Sequence, residues 1–362
     1  MSKYNGKFAS NDKEKNEKPS NDPEAKPRKK KWRWVLLSVL LVVLALLIAA
    51  IVFVWTKLNQ IDRVDPKETY MSQEEWNDYA ASEQTELPDA GTYPTLDPDA
   101  VEWGSNPNNP IGQDDTNIVN ILLIGQDRRA GEGRARSDSM ILVSFNKADK
   151  KITLVSFLRD NYVQIPGYQD NRLNSAYAIG GMELLDETLS TNFGVSIDAN
   201  VEVDFSGFTS IIDLLGGVDI ELTSAEANHL NNLEGWSLRS GENHLTGEQA
   251  LSYSRIRYLD SDFGRTSRQR NVLTSLLESF KNISLTKALK LVDEIFPLLT
   301  TDMTNKEIIS NVTTLLPILS KAEINTMHIP GEDDYYSASI RGMAVIVPDY
   351  DACRKQLSEA LN

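Results

Sequence analysis

The chain has 362 residues and a formal net charge of -15, long enough for one large domain or two modest ones with a real core. Such acidity argues against a folded nucleic-acid binder, because the field repels a phosphate backbone and no helix-turn-helix or zinc spacing compensates for it. The single cysteine, Cys353, rules out an intramolecular disulfide, and the three histidines are scattered without metal-ligand spacing.

Residues 1–33 are rich in Lys, Asn, Glu, Pro and Ser, a composition that cannot offset its own ordering entropy, and are predicted to be a disordered tail. Residues 34–55 are predicted to be a transmembrane helix, since the apolar run from Val35 to Val54 matches the about 20 residues needed to cross a bilayer. Trp32, Trp34 and Trp55 sit where interfacial aromatics belong, and the basic run Arg28 to Lys31 with Arg33 marks the preceding side as cytoplasmic. The run is too long for a cleaved signal peptide, and no small-x-small site ends it. Charge divides at the same place. Residues 1–33 carry 11 Lys and Arg against 5 Asp and Glu, which leaves 26 against 47 for the remainder. The expected localisation is the cell membrane, single-pass, N-terminus cytoplasmic and the acidic part extracellular.

Residues 56–116 are acidic and interrupted by prolines, and read as an extracellular stalk with one short helix near Ser72 to Ala81. From Asn117 the texture becomes strand-like, with apolar runs at Ile118–Ile124, Met140–Phe145 and Ile152–Phe157, the last two joined by a hairpin turn at Asn146 to Lys150. Helical patterns follow at Met182–Asn192 and Phe205–Leu215, the latter stopped by Gly216 and Gly217, then a strand at Val218–Leu222 and a short capped helix at Thr246–Ser252. Long helices are predicted at Thr266–Lys281, Leu285–Leu298 and Asn305–Leu319, strands at Ile324–Ile329 and Met343–Val347, and a last helix from Tyr350. The fold class is α/β: residues 117–362 form one domain with a central mixed sheet and helices on both faces.

Charged residues gather at the expected strand ends. Asp127 follows the first strand, Arg136 and Asp138 open the second, and Arg159 follows the third, where sites in α/β sheets commonly lie. Asp127 and Asp138 could share a divalent metal with phosphate oxygens, although an Asp–Arg ion-pair network fits the same residue types. Arg255, Arg257, Arg265, Arg268 and Arg270 crowd one run of an acidic chain, and the guanidinium fork matches phosphate oxygens two at a time. Arg255 and Arg257, two apart in a stretch that could be extended, would share one face of a strand. Arg265, Arg268 and Gln269 would share one face of a helix, with a loop carrying Asp260, Asp262 and Gly264 between the two groups.

In this order the pieces Leu123-Ile-Gly-Gln-Asp127-Arg, Arg136-Ser-Asp138-Ser, Ser156-Phe-Leu-Arg159-Asp160, Arg172-Leu-Asn174-Ser-Ala-Tyr177, Val203-Asp-Phe-Ser-Gly-Phe208, Gly216-Gly-Val-Asp219 and Arg255-Ile-Arg257 with Asp262-Phe-Gly-Arg265-Thr-Ser-Arg268-Gln269 resemble the LytR-CpsA-Psr family of membrane-anchored cell-wall enzymes. The resemblance implies a transferase that moves an anionic or secondary cell-wall glycopolymer, such as teichoic acid or capsular polysaccharide, from a polyprenyl-pyrophosphate carrier to peptidoglycan, forming a phosphodiester and releasing polyprenyl phosphate. It implies magnesium, with manganese as a substitute, on Asp127 and Asp138. It implies phosphate contacts from Arg159, Arg172, Arg255, Arg257, Arg265 and Gln269, with Asp262 in the same site and a hydrophobic channel for the lipid tail. Arg136 is grouped with the pyrophosphate-binding residues. Leu158 stands where the family usually has proline, Ser139 where it has threonine and Arg172 where it has lysine. The competing readings are a non-catalytic envelope protein that binds or senses lipid-pyrophosphate glycans, and a hydrolase that cleaves the pyrophosphate with water.

Overall fold

The computed structural model describes residues 52, 55–56, 58–64, 70–72, 74–78, 92–105, 110–112, 115–126, 136–257, 259–281 and 294–362. The tail expected at 1–33, and all but a few residues of the span expected at 34–55, lie outside them. Among the described residues no helix is long and apolar enough to cross a membrane.

In chain order the elements are β1 (Asp62–Arg63), β2 (Ile118–Gln126), β3 (Ser137–Asn146), β4 (Lys151–Phe157), β5 (Tyr162–Val163), β6 (Asn171–Arg172), α1 (Leu173–Phe193), β7 (Ala199–Asp204), α2 (Phe205–Leu215), β8 (Val218–Leu222), α3 (Ser224–Glu234), β9 (Gly241–Leu245), α4 (Gly247–Ser254), α5 (Asp262–Lys281), β10 (Thr300–Thr301), α6 (Asn305–Leu319), β11 (Glu323–Ile329), β12 (Tyr335–Ile340), β13 (Met343–Pro348) and α7 (Tyr350–Leu361). The main sheet runs β1-β10-β7-β2-β3-β4-β11. It is mixed: β2, β3 and β4 are successively antiparallel, whereas β7 joins β2 and β11 joins β4 in parallel.

Alternation along β2 assigns its side chains to two cores. Leu122 and Ile124 pack under α1 and α7 with Leu185, Leu189, Leu357 and Leu361, while Ile121 and Leu123 face Leu273 and Leu277 of α5 and Leu315 and Leu319 of α6. The expectation of helices on both faces is therefore met. A smaller cluster joins α2, the antiparallel β8–β9 pair, the α3 helix between those strands, α4 and α5 through Ile212, Ile220, Leu230, Tyr253 and Val272. Helix α5 is thus shared between the sheet and this satellite layer.

Local chemistry sets the boundaries. The Asp204 side chain accepts from Gly207 N to start α2, and Gly216 ends it in the left-handed region at φ 97°. Thr223 with Glu226, Thr246 with Gln249 and Thr304 with Glu307 form capping boxes on α3, α4 and α6. Gly181, at φ 65°, breaks the helical path inside α1, which is why periodicity reported only its second half.

Parts of the acidic stretch at 56–116 lie against the domain. Leu58 and Ile61 are buried with Ile308. Val101 enters the core under α1, and Trp103 stacks on Tyr162 with ring centres 5.7 Å apart. These apolar residues are spaced singly among prolines and carboxylates, so no periodic signal announced them. Most of the helix expected at Leu285–Leu298 lies outside the described residues; its end, Phe296–Leu298, is a single 3-10 turn.

Candidate functional site

The site is built where β2, β3 and β7 present one face to α5. Gly125 stands opposite Ser139 on β3 and beside Val203 on β7, and two residues back Leu123 stands opposite Ile141 and beside Val201. That step is about 6.6 Å along a strand. Over it lies α5, with Arg265, Gln269 and Leu273 spaced at one turn each. Ser139 Oγ donates to Gln269 Oε1 at 3.1 Å, which ties helix to sheet at the polar level. Going down the cavity, the walls change from arginine and amide to leucine, isoleucine and valine.

The cavity has a volume of about 970 Å³. Its lining includes Arg136, Asp138, Arg159, Arg172, Arg255, Arg257, Arg265 and Gln269, and continues with Leu123, Ile141, Val201, Phe208, Leu273 and Leu276. The fold therefore brings these charged and amide residues together from four separate stretches of sequence and the apolar walls from two more, at Leu123 and at Val201 to Phe208. Asp127 lies outside the described residues, as do Arg128 and Arg134. Asp262 opens α5 and holds the Arg265 guanidinium at 2.8 Å.

Two sequence expectations need correction. Arg255 and Arg257 are not on a strand: Arg255 caps the C-terminus of α4 at φ -102° and ψ 0°, and Arg257 follows in the connection to α5. They reach the cavity because the chain turns there, not because of a two-residue repeat. Arg265 and Gln269 do share a cavity-facing stripe, but Arg268 points away, where Nε donates to Glu226 at 2.7 Å, Nη1 donates to Ile256 O at 3.1 Å and Nη2 pairs with Asp260. Buried Arg268 thus fixes the backbone between Arg255 and Arg257 and positions both.

Electrostatics in the pocket are unbalanced toward positive charge. Arg159 Nη1 donates to Asp138 Oδ1 at 2.8 Å, and Asp160 lies 3.4 Å from both Arg159 Nε and Arg172 Nη1. Arg257 approaches Asp138 at 3.6 Å. Burial pulls the Arg159 guanidinium down, yet Asp160, Asp262 and Asp138 together hold it above its ordinary value. Burial dominates the Arg265–Asp262 pair instead: it lowers Arg265 and raises Asp262 despite their contact. Arg265 is 2% exposed, and its Nε and Nη1 have no hydrogen-bond partner among the described residues. Buried donors left in this way are costly, and because they are closed to solvent Arg265 would act on an anion in the cavity chiefly through its charge.

Sequence reasoning gave no role to Asp160, Arg268 or Phe205. Asp160 bridges two cavity arginines. The Phe205 ring lies 4.5 Å below the Arg255 guanidinium carbon, a cation–π seat. Asp160 could have been noticed as the neighbour of Arg159; the pairing with Phe205 had no local signal. No group of three or more His, Cys, Asp or Glu arranged to hold a metal occurs among the described residues.

The profile of the LytR_cpsA_psr family matches residues 77–359. The regulatory protein MsrR of Staphylococcus aureus (strain COL) is 38% identical over 178 residues, covering 48% of this chain and 52% of that protein. The polyisoprenyl-teichoic acid--peptidoglycan teichoic acid transferase TagU of Bacillus cereus is 38% identical over 165 residues, covering 44% of this chain and 52% of that protein. The chain thus spans about half the length of the curated relatives it matches. Among solved structures, TagT bound to LIIa-WTA superposes with a TM-score of 0.58 at 26% identity, over 72% of this chain and 98% of that one.

Proposed function

The chain belongs to the LytR_cpsA_psr family, and from that membership and the cavity we propose that it transfers an anionic cell-wall glycopolymer from a polyprenyl-pyrophosphate carrier to peptidoglycan. The observation that carries this reading is one cavity that combines arginines at one level with aliphatic walls below, a shape suited to a ligand with a pyrophosphate head and an isoprenoid tail. The name of TagU, a polyisoprenyl-teichoic acid transferase, and the wall-polymer ligand of TagT support it.

In this reading a peptidoglycan hydroxyl attacks the phosphorus nearer the glycan. The new oxygen–phosphorus bond forms as the bond to the second phosphate breaks, the electron pair leaves with polyprenyl phosphate, and the hydroxyl proton passes to that leaving phosphate or to solvent. Phosphoryl transfer asks the protein chiefly to align the groups and stabilise charge on phosphate oxygens. Arg255, Arg257 and Arg265 do this at the cavity level, and Arg159 and Arg172 are held ready by Asp160. The aliphatic walls exclude water from the tail and fix its entry direction.

We assign a magnesium ion, with manganese as a substitute, to Asp138 together with Asp127. Asp138 lines the cavity; its Oδ1 pairs with Arg159 and Arg257, and its second oxygen would serve the ion beside phosphate oxygens, the hard oxygen donors that magnesium requires. When bound, the ion neutralises charge shared between the two phosphates. We further propose residues 1–33 as a cytoplasmic tail, 34–55 as the membrane span, 56–116 as the extracellular connection and 117–362 as the catalytic domain.

The test incubates the protein with a synthetic polyprenyl-pyrophosphate saccharide and peptidoglycan oligomers, with and without magnesium, and follows products by mass spectrometry. A phosphodiester-linked adduct with released polyprenyl phosphate is expected; glycan phosphate without adduct means hydrolysis, and bound but unchanged donor means a binding protein. Arg255→Ala and Arg257→Ala should each lower turnover about 100-fold or more, the loss typical of removing one charge-stabilising donor. Wild-type turnover in both would refute the phosphate site. Asp127→Asn with Asp138→Asn should abolish transfer and its response to magnesium, and a double variant still stimulated by magnesium refutes the metal assignment.

A further inference from the structure

Helix α6 has one buried and one bare side. Ile308, Leu315 and Leu319 pack inward, while Ile309, Val312 and Leu316 are 40%, 49% and 45% exposed. Their spacing of three and four residues makes them one stripe. From Ile309 to Ser320 the sequence has no charged side chain, although a quarter of the whole chain is charged. Lys306 and Glu307 precede this neutral stretch, and Lys321 and Glu323 follow it.

The same helix is fastened to the segment that follows the proposed span. Leu58 and Ile61 bury against Ile308. Asn305 Nδ2 donates to Asn59 Oδ1 at 2.8 Å, Arg63 Nε donates to Met303 O at 3.0 Å, and β1 pairs with β10 just ahead of α6. Only four residues of chain lead from Val54, the end of the apolar run, to Leu58. If the proposed span ends at Val54, then at about 3.6 Å per residue at most Leu58 would lie within about 15 Å of the membrane boundary, and the start of α6 with it. An apolar stripe flanked by lysines whose heads can reach lipid phosphates is the chemistry of a helix lying in a bilayer interface.

We infer that α6 lies in the headgroup layer of the membrane, with Ile309, Val312 and Leu316 turned to the acyl boundary. This orientation depends on the span proposed above. It has a consequence for the donor. Leu315 and Leu319 share a cluster with Leu273 and Leu277 of α5, and Leu273 also lines the cavity. The aliphatic end of the cavity is therefore one helix layer from the stripe, so a long isoprenoid chain passes between bilayer and cavity without crossing a broad layer of water.

The experiment places the full chain in phosphatidylcholine–phosphatidylglycerol vesicles and attaches an environment-sensitive NBD fluorophore to Ile309→Cys, Val312→Cys or Leu316→Cys. Lys355→Cys on α7, whose native side chain is 76% exposed, serves as the water-facing control. Native Cys353 is fully buried and its thiol is pushed up to about 12 by burial, so labelling is confined to the introduced thiols. Blue-shifted emission at the stripe, lost on adding nitroxide-bearing lipids while Lys355→Cys stays water-like, is expected. Water-like emission at all four sites, in protein that resists alkaline carbonate extraction, overturns the docking and leaves the span standing. Shielding of the stripe from both nitroxide lipid and aqueous iodide assigns it to a protein occupant and likewise overturns the docking. Release of the chain by carbonate overturns span and docking together.

Discussion

Single side chains in this protein are tuned by what the fold sets beside them. Arg159 and Arg265 line the same cavity, yet carboxylates hold the first above its ordinary value while burial takes the second below. His244 is a clearer case for titration. Its Nδ1 lies 2.7 Å from Asp219 Oδ1 and its Nε2 lies 2.6 Å from the Gly216 carbonyl. Both partners accept, so both ring nitrogens donate only in the imidazolium, and the hydrogen bond to Asp219, the contact with Gly216 and the Asp219 charge outweigh slight desolvation to raise its pKa. A raised folded value means the stabilisation is complete below the unfolded pKa near 6.5 and is lost as pH climbs through the folded value. His244→Gln should therefore lower Tm at pH 5.5, as about one unit below that reference, and leave Tm nearly unchanged at about pH 9. An equal Tm loss at both pH values would show that the imidazolium is not the stabilising form.

At the scale of elements, short capping signals and close backbone approaches decide where helices stop and how the satellite layer closes. Gly217 sits at φ +103°, and a Cβ there would come within 2.8 Å of the Leu245 carbonyl and 2.5 Å of His244 Nε2. The backbone conformation and the lack of space both require glycine. Gly217→Ala should cost more than about 1 kcal/mol in urea denaturation, and should loosen the β8–β9 pair; an unchanged midpoint would mean that the pair shifts freely. Among the strands missed from sequence, β7 has a related cause. Its alternation is real, but Asn200 and Glu202 are buried polar residues that made it read as irregular. Asn200 Nδ2 donates to both Asp186 and Asp302 at 2.7 Å, and Glu202 accepts from Tyr177. Helix α3 was missed although Thr223-x-x-Glu226 is a written capping box, because its remaining surface is polar and offers little periodicity.

With the proposed span in place, the chain would hold an acidic domain close to the membrane that carries its proposed substrate. Tethering raises the effective concentration of donor and enzyme without any new contact. Removing residues 1–55 while retaining the packed 58–64 segment should sharply lower turnover of donor embedded in vesicles and leave turnover of a short, water-soluble donor near the full-length value. Equal loss on both donors would show that the missing residues support the fold instead of locating it.

The sequence by itself determined the elements whose signals are local. The apolar runs of β2, β3 and β4, the α2–Gly216 stop and the α6 periodicity each depend on neighbours a few residues away, so they could be read in order. It also determined which phosphate-contacting donors are available, since the cations Arg255, Arg257 and Arg265 and the amide Gln269 stand in one motif and all line the cavity. Only the tertiary structure decided how they meet. Asp138 and Arg159 are joined by strand register, Arg255 and Arg257 enter through a helix C-terminus, and Arg268 is drawn out of the site by Glu226, 42 residues earlier. Contacts across such separations depend on chain closure and burial, which no local pattern records. That is why the composition of the cavity was legible in the sequence while the roles of Asp160, Arg268 and Phe205 were not.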